Sequence, residues 1–336
     1  MRLIPILHLL EVRTMDLKTI QAPISRELSE FEDYFKTTMR SQVSLLDRIM
    51  YYIAKRKGKQ IRPMFVFFSA KLARSITPAT YTAAALVEIV HTATLVHDDV
   101  VDDSMKRRGF FSINALWKNK IAVLVGDYLL SKGMDIALSE KQYGILHVLN
   151  QAIKDLAEGE LLQIEKARKL DIEESIYYEI IRQKTASLIA ASCAAGATSS
   201  TQDENTIAKI RQIGEWIGMA FQIKDDLFDF GDDAIGKPTG IDIKEKKLTL
   251  PLIYTLNHID QDTKKKIIHT IRNESDDRKK VKWVIDIVRQ GEGLQYSTRV
   301  MNEYAQKAKN SLMDFPQSDA REGLMNLIDF TIQRKN

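Results

Sequence analysis

Cysteine is nearly absent from this chain of 336 residues, in which Cys193 is the only one. A single thiol excludes an intramolecular disulfide, and with it the class of small secreted domains that disulfides stabilise. Cys193 lies in the apolar stretch from Leu188 to Ala195, so we expect it to be a buried small residue. The cysteine content therefore favours the reducing cytoplasm.

An excess of charge of one sign is also lacking, because 49 Lys and Arg residues face 45 Asp and Glu residues and leave a net charge of +4. This balance does not by itself indicate nucleic-acid binding. The lysine-rich runs at 264–266 and 278–280 have no interleaved aromatic residues, so we interpret them as solvated helix ends and loops. We expect no nucleic-acid partner.

Long apolar runs and Pro/Gly/Ser-rich linkers are missing as well. No uninterrupted apolar run reaches the ~18 residues of a membrane span. Hydrophobic residues make up 44% of the chain, which is enough for a sizeable core. Since helical patterning continues without a linker, we predict one large helical domain over residues 15–336.

The first fourteen residues resemble a signal peptide only faintly. Their short apolar stretch is interrupted by Pro5 and His8, and no small-residue cleavage site follows. A more ordinary sequence begins at Met15. We expect translation to start there, and residues 1–14 to be a loose or wrongly assigned extension.

Apolar residues recur at helical spacing almost throughout, and strand-like alternation is rare. Thr77-Pro78 indicates an N-cap and a first helical residue, and a Thr201-x-x-Glu204 capping box indicates another helix start. The predicted helices cover residues 27–55, 62–74, 78–103, 112–138, 143–168, 173–197 and 203–230, with shorter helices within 248–333. The Gly- and Lys-containing segment 231–247 interrupts the pattern and is either a mobile lid or an ordinary solvated loop.

Two aspartate clusters of the same form are the main chemical signal. Each has the pattern Asp-Asp-x-x-Asp within a helical stretch and beside apolar residues, where carboxylates are costly unless they are paired or bind a metal. Positions i and i+4 share a helix face, and hard carboxylate oxygens suit Mg²⁺ that is shared with substrate phosphates. The predicted metal region comprises Asp98, Asp99, Asp102, Asp225, Asp226 and Asp229.

Basic residues recur in a definite order around these clusters. Lys59 and Arg62 stand at a predicted helix start, where free backbone N–H groups also favour anions. The others are His91, Arg107, Arg108, Lys184 beside Thr185, Lys237 and Lys247. Each is unremarkable alone, and their order relative to the aspartates carries the information.

This order resembles the trans-isoprenyl diphosphate synthases, or polyprenyl synthetases, over roughly residues 30–330. The motifs that carry the resemblance are Gly58-Lys59-Gln60-Ile61-Arg62-Pro63, His91 to Asp102, Arg107-Arg108, Gly126-Asp127, Lys184-Thr185, Phe221 to Asp229, and Gly236-Lys237. The resemblance implies an all-α isoprenoid synthase fold, a large single-domain helical bundle with a central active-site cavity, and a homodimer. It also implies Mg²⁺-dependent head-to-tail joining of an allylic diphosphate to isopentenyl diphosphate.

The same resemblance implies roles for individual residues. The catalytic set is Asp98, Asp99, Asp102, Lys184, Asp225, Asp226 and Lys237, and several Mg²⁺ ions are held by the six aspartates. Arg107, Lys184 and Lys237 grip the allylic diphosphate, with Thr185, Gln222 and Lys247 at its site. Lys59, Arg62, His91 and Arg108 grip isopentenyl diphosphate. The family assigns the removal of the proton to the departing diphosphate, so no side chain is named as the base.

Product length depends on the residues below the first aspartate cluster. Ala93 and Thr94 lie five and four residues before Asp98, about one helical turn deeper. Short-product relatives often carry an aromatic residue in this region, so small residues predict a long product, hexaprenyl to decaprenyl, for quinone side chains. The candidates for a lower floor are Ile89, Val90, Leu130 and Met134. Such a product is lipophilic, which is consistent with a cytoplasmic enzyme that touches the membrane surface transiently.

Other interpretations remain open. A geranylgeranyl diphosphate synthase would share every motif and differ only in product length. A non-catalytic regulatory subunit is disfavoured by the intact aspartates, and a terpene cyclase by the complete second cluster together with the pocket of Lys59, Arg62 and His91.

Overall fold

The computed structural model describes residues 16–55, 58–107, 109–171, 173–231 and 239–334. Within these ranges the chain is helical almost throughout. The helices are α1 (Leu17–Gln21), α2 (Ser25–Thr38), α3 (Ser44–Ala54), α4 (Ile61–Ala73), α5 (Pro78–Val101), α6 (Ile113–Ser139), α7 (Tyr143–Lys169), α8 (Glu174–Ile181), α9 (Ser187–Thr198), α10 (Glu204–Phe228), α11 (Ile241–Lys244), α12 (Leu250–His258), α13 (Gln261–Asn273), α14 (Arg278–Gln290), α15 (Gly293–Leu312) and α16 (Asp319–Gln333). A 3₁₀ turn covers Ala22–Ile24, a π-helical turn covers Arg182–Ala186, and β1 (Lys106–Arg107) pairs with β2 (Phe110–Phe111) in a short hairpin. The predicted all-α single-domain bundle is confirmed.

Helix α5 is the central helix. It begins as predicted, with Thr77 as N-cap, Pro78 as the first residue and a capping box formed with Thr80. Among the described helices it is the one long and apolar enough to cross a membrane, but 67% of its most apolar window is buried inside the bundle. It therefore serves as a core helix that carries the first aspartate cluster at its C-terminal end.

The helix predicted over residues 27–55 is wrong as a single element. The chain ends α2 at Thr38, reverses, and begins α3 at Ser44. At the reversal, the Asp47 carboxylate accepts the Ser41 N–H at 3.0 Å and forms an ion pair with Arg40. A short polar side chain that satisfies backbone groups in this way competes with the helical hydrogen bonds.

The capping box predicted at Thr201 is also wrong. The N-cap of α10 is Asp203, whose side chain accepts the Asn205 N–H. Thr201 lies two residues earlier and its hydroxyl accepts the Asp203 N–H at 3.2 Å. The start of the helix is therefore displaced by two residues from the predicted cap, although the helix itself is present as predicted.

Helix α9 is buried along most of its length and packs against α4, α7 and α10. Nearly all of its side chains are small, so these helices can approach it closely. A methyl group on Gly196 would overlap the carbonyl oxygen of Val66 on α4, and one on Gly214 of α10 would lie 2.9 Å from the Cys193 sulfur. Neighbouring helices thus approach α9 at backbone distance. Cys193 is buried here as predicted, and burial raises its pKa to about 12.

Helix α6 is broken near its start by Lys118, whose φ of 72° and ψ of 158° lie in a region that essentially only glycine adopts. The short segment before the break carries Asn114, whose side-chain amide donates to the backbone carbonyl of Asp99 at 3.0 Å. The break therefore turns the first turn of α6 towards the end of α5 and fixes the first aspartate cluster from outside.

Candidate active site

The first aspartate cluster occupies the last turn of α5 and the residues that end it. Asp98 is partly buried, Asp99 is buried, and Asp102 is the exposed C-cap. Burial raises the pKa of Asp98, and the nearby Lys184 ammonium opposes that rise. The three carboxylates therefore differ in environment although the sequence pattern treats them alike.

Arg107 is brought back to this cluster by the short β1–β2 hairpin. Its Nε donates to Asp99 Oδ1 at 2.6 Å. The hairpin turns at Gly109, whose φ of 81° is a conformation that suits glycine. Arg108, the other half of the predicted arginine pair, lies outside the described residues.

The predicted Gly126-Asp127 landmark on α6 supports the same helix end. A methyl group on Gly126 would overlap the imidazole ring of His97, the residue before Asp98. That ring lies 3.3 Å from the Val123 carbonyl oxygen and 3.4 Å from the Asp127 carboxylate. Gly126 therefore makes room for a histidine that ties α5 to α6 directly below the cluster.

Lys184 and Thr185 lie in the π-helical turn between α8 and α9. The Lys184 ammonium pairs with Glu160 on α7 and lies 3.4 Å from the Gln163 amide oxygen. The turn can approach α7 because residue 159 is glycine. A methyl group at this position would lie 2.7 Å from Gln183 Cβ and 2.9 Å from the backbone nitrogen of Lys184. π-turns inside helices are frequent at functional sites.

Asp225 is the exposed member of the second cluster, which lies at the end of α10. Its carboxylate accepts from Arg334 at 2.9 Å, at the C-terminal end of α16. The Arg334 guanidinium stacks on Phe221, with its central carbon 3.9 Å from the ring centroid. The last described residue of the chain is thus held against the first aspartate of the cluster.

Asp226 is buried, and both of its oxygens accept hydrogen bonds from neutral groups. Tyr177 on α8 donates to Oδ2 at 2.6 Å, and Gln222 donates to Oδ1 at 2.7 Å. Thr185 donates in turn to the Gln222 amide oxygen at 2.7 Å. Burial raises the pKa of Asp226, and these two donors oppose the rise.

Asp229 holds the chain beyond the Gly-containing segment. Its two oxygens accept the N–H groups of Ile241 at 2.8 Å and Asp242 at 3.2 Å, the first residues of α11. Its carbonyl accepts the Gly240 N–H at 3.1 Å. Residues 232–238, including the predicted Lys237, lie outside the described residues.

A cavity of about 190 Å³ lies beside the second cluster, and we call it the aspartate cavity. Its lining includes Tyr177, Lys184, Thr185, Gln222, Asp225, Asp226, Asp242 and Lys247. Burial favours the neutral form of Lys247, but its ion pair with Glu245 and the charges of Asp242 and Asp102 outweigh burial and raise its pKa. Lys184 and Lys247 line the cavity beside the second cluster, Lys184 opposes the rise in the pKa of Asp98, and Asp102 is one of the charges that raise the pKa of Lys247.

A second cavity of about 90 Å³ is lined by residues of α2, α3 and α5 and by Gly58 and Gln60. Gly58 and Gln60 flank Lys59 in the chain, and Glu88 and Thr92 of the same cavity lie on α5, the helix that carries the buried His91. The Lys59 ammonium lies 5.6 Å from the ring centroid of Phe330 on α16, and Arg62 is in the first turn of α4. Lys59 and Arg62 therefore lie at or just before the start of α4, and His91 lies on the neighbouring helix α5.

Ala93 is fully buried in a core cluster formed with Ile89, Val96, Val125 and Leu129. Thr94 is partly buried, and its hydroxyl donates to the His91 carbonyl. Met134 does not join this cluster, since it lies on the outer face of α6 and is 49% exposed. The structure therefore places Ala93 and Ile89 in one buried cluster, with Leu130 packed against it, and Met134 outside it.

Whether these residues fit Mg²⁺ follows from their donor chemistry. Among the described residues, no three Asp, Glu, His or Cys side chains come close enough to hold a metal ion by themselves. Mg²⁺ does not require such a cage, because it usually keeps several waters and binds one or two carboxylates together with substrate phosphates. The partly buried Asp98 and the exposed Asp102 and Asp225 fit that mode of binding.

Four contributors at the site escaped the sequence analysis, namely Tyr177, Glu160, Arg334 and Asp242. Glu160 occurs in an ordinary charged helix pattern, and Tyr177 and Arg334 contact the second cluster from elements remote in sequence. Of the four, only Asp242 could have been found from the sequence, because it is an acidic residue two positions after Gly240 and close to the second aspartate cluster in the chain.

Comparison with known proteins identifies the family. A sequence model of the family described as "Polyprenyl synthetase" matches residues 43–288. Octaprenyl diphosphate synthase of Escherichia coli (strain K12) is 33% identical over 324 residues, which cover 95% of this chain and 99% of that protein.

Two solved structures share the fold over nearly the whole chain. Polyprenyl synthase from Caulobacter crescentus CB15, complexed with calcium and isoprenyl diphosphate, is 30% identical with a TM-score of 0.88 and coverage of 96% of this chain and 99% of that one. Geranylgeranyl pyrophosphate synthase from Bacteroides thetaiotaomicron is 36% identical with a TM-score of 0.81 and coverage of 95% and 100%. The chain therefore belongs to the polyprenyl synthetase family and is a prenyl diphosphate synthase, a prenyltransferase of isoprenoid biosynthesis.

Proposed function

We propose that the protein catalyses the Mg²⁺-dependent, head-to-tail condensation of an allylic diphosphate, farnesyl or geranylgeranyl, with isopentenyl diphosphate. The observation that carries this proposal is the aspartate cavity itself, which is lined by two cations, Lys184 and Lys247, together with Asp225 and Asp226 of the second cluster. A diphosphate needs such a combination of fixed positive charge and metal-binding carboxylates. The Caulobacter crescentus relative complexed with calcium and isoprenyl diphosphate supports it further.

The chemistry places opposite charges at the two ends of a breaking carbon–oxygen bond. Negative charge develops on the departing diphosphate, where Lys184, Lys247 and Arg107 stabilise it as fixed charges in a partly buried site. Asp98, Asp102 and Asp225 would hold Mg²⁺, which would supply Lewis acidity to the same leaving group.

The other groups orient these residues and the second substrate. Asp99 aims Arg107, Glu160 holds Lys184 in the turn, and Asp229 fixes the start of α11 close to Lys247. Lys59, Arg62 and His91, together with Arg108, bind isopentenyl diphosphate so that its alkene meets the allylic cation. The departing diphosphate takes the proton that is lost, and Lys237 completes the allylic site in this proposal.

We propose a long all-trans product, hexaprenyl to decaprenyl, that serves as a quinone side chain. Incubation of the purified protein with Mg²⁺, farnesyl diphosphate and isopentenyl diphosphate is expected to yield products well beyond four isoprene units by mass spectrometry. Ala93→Phe is expected to shorten them, because a phenyl ring would add bulk below Asp98 in the path proposed for the growing chain, whereas Ala93→Gly adds none and keeps the long product.

Each other result of this experiment has a definite meaning. A wild-type product that ends at geranylgeranyl would reject the long-chain proposal in favour of the second candidate, which the packed cluster around Ala93 and the geranylgeranyl pyrophosphate synthase relative support. Unchanged product length in Ala93→Phe would reject the tunnel. A folded protein without elongation activity would favour a non-catalytic subunit.

We infer that the functional unit is a homodimer formed through the outer face of α6. Val123, Leu124, Met134 and Leu138 expose 41% to 56% of their surface there, which is typical of an apolar contact surface. Lys120 and Asp135 lie on the same face, so two antiparallel copies of α6 would pair these opposite charges across a two-fold axis. We expect sedimentation analysis to give twice the chain mass of 38.4 kDa, and Leu124→Glu to give the chain mass alone. A wild-type protein that sediments as a monomer would reject the dimer.

We place the enzyme in the cytoplasm, with transient contact to the membrane surface when the lipophilic product leaves. The buried free cysteine is consistent with this compartment.

A further inference from the structure

Tyr177 makes a contact that the reaction as described above does not use. Its side chain is 3% exposed, it lines the aspartate cavity, and its hydroxyl donates to Asp226 Oδ2 at 2.6 Å. It lies on α8, whereas Asp226 lies on α10, so the contact is between helices and not a local one. A tyrosine hydroxyl buried this deeply needs a partner, and a carboxylate is the strongest acceptor available to it.

The second oxygen of Asp226 is fixed by an equally specific arrangement. Gln222 donates its side-chain N–H to Oδ1 at 2.7 Å, and Thr185 donates its hydroxyl to the Gln222 amide oxygen at 2.7 Å. Because the amide oxygen already accepts from Thr185, the amide NH₂ must face the carboxylate. Asp226 thus has one neutral donor on each oxygen, and the plane of its carboxylate is set by two side chains from different helices.

The neighbouring aspartates of the cluster are held in other ways. Asp225 is exposed and pairs with the charged Arg334, and Asp229 accepts backbone N–H groups with both oxygens. Only Asp226 combines burial, neutral donors and a place on the cavity wall. An ionised carboxylate has about four lone-pair sites, so two donors leave acceptor capacity for a further ligand.

We propose that Tyr177 is a positioning residue: together with Gln222 it fixes the carboxylate of Asp226 so that its remaining lone pairs serve a cation or a cation-bound water in the aspartate cavity. This inference rests on the proposed function, because it takes that cation to be the Mg²⁺ of the prenyl transfer. Removal of a side chain that is hydrogen-bonded to a metal-binding residue typically lowers metal affinity or activity by about 10–100-fold.

The test is Tyr177→Phe, which keeps the ring and removes the hydroxyl. Calorimetric titration of the full-length protein with Mg²⁺ in the presence of inorganic diphosphate is expected to show about tenfold weaker binding. In prenyl-transfer assays the half-saturating Mg²⁺ concentration rises by the same factor of about ten, while kcat at saturating Mg²⁺ stays within about threefold of the wild type.

The adjacent residue provides a matched control. Tyr178 also donates its hydroxyl to a carboxylate at 2.6 Å, but its acceptor is Glu174 on the same helix, outside the residues that line the aspartate cavity. Tyr178→Phe therefore removes the same group from the same helix and is expected to bind Mg²⁺ as the wild type does. Equal weakening in both variants would overturn the proposal, as would unchanged binding in Tyr177→Phe.

A double-mutant cycle tests whether Tyr177 acts through Asp226. In the Asp226→Asn background, Tyr177→Phe is expected to change Mg²⁺ binding by less than about twofold, since the group it positions is gone. A full tenfold loss in that background would show a different route and reject the proposal. If the wild type binds Mg²⁺ and the variant binds it weakly but neither transfers prenyl groups, the proposed function fails while the positioning role of Tyr177 stands.

Discussion

Asp98→Asn is expected to lower kcat for prenyl transfer by about 10³-fold, at the upper end of what removal of one preorganised electrostatic group costs. The substitution keeps the shape of the side chain and removes the charge of a partly buried carboxylate near Lys184. That charge has no close substitute, because Asp99 is committed to Arg107 and Asp102 is exposed. The measurement is kcat with farnesyl and isopentenyl diphosphates at saturating Mg²⁺, with thermal unfolding recorded beside it.

The control for this variant lies at the end of the same acidic run. Asp103 is exposed and has a φ of 49°, a left-handed conformation that asparagine tolerates well. Asp103→Asn is therefore expected to leave kcat unchanged within about twofold and to leave stability unchanged or slightly raised. An Asp98→Asn enzyme within tenfold of the wild type would contradict the metal-binding role assigned to this carboxylate.

Gly218→Ala is expected to lower the free energy of unfolding by about 2–3 kcal/mol and to reduce the activity of the folded fraction. A methyl group on Gly218 of α10 would overlap Ala186 Cα and lie 2.7 Å from Ala186 Cβ, at the end of the π-helical turn. Because the methyl group would contact backbone atoms of Ala186, which cannot rotate away, the overlap can be removed only if α10 and the π-helical turn move apart. That movement would also displace Thr185 from Gln222, one helical turn after Gly218.

A second glycine shows what the same substitution does where space exists. A methyl group on Gly133 of α6 would meet Ile89 and Leu86 at 3.5 and 3.6 Å, which is ordinary contact. Gly133→Ala is expected to raise stability by about 0.5–1 kcal/mol through helix propensity alone. Urea unfolding measures both variants, and a Gly218→Ala protein as stable as Gly133→Ala would show that the two helices can separate without cost.

The fold could be predicted from the sequence because its long helices are marked by apolar periodicity and by local capping residues such as Thr77 and Pro78. The predictions that failed concern places where a local signal competes with a tertiary one. Asp47 ends the predicted helix 27–55 by binding the backbone of Ser41, and Asp203 replaces Thr201 as the N-cap. The sequence alone does not show where the first helix ends or which residue caps α10, because tertiary packing determines both.

The candidate site was predictable in composition but not in arrangement. The aspartate pattern identifies the carboxylates, yet their environments differ, from the buried Asp226 to the exposed Asp225. Those differences arise from Tyr177 on α8 and Arg334 at the end of α16, and periodicity does not report contacts between distant helices. Met134 was misplaced for the same reason, since helical spacing alone does not show which face of α6 meets the core.

The π-helical turn at Arg182–Ala186 has a consequence for how this stretch of chain can vary. One residue more than a regular α-helix needs is accommodated there, so the residues after the turn are rotated by about 100° relative to an uninterrupted helix. A deletion of one residue in the turn would restore regular helical bonding and at the same time rotate α9, so that Gly196 would no longer face Val66. The core therefore does not tolerate insertions or deletions in this segment, although local hydrogen bonding would improve without the extra residue. Packing of α9 fixes the chain length between Tyr177 and Gly196 as firmly as the position of Lys184 does.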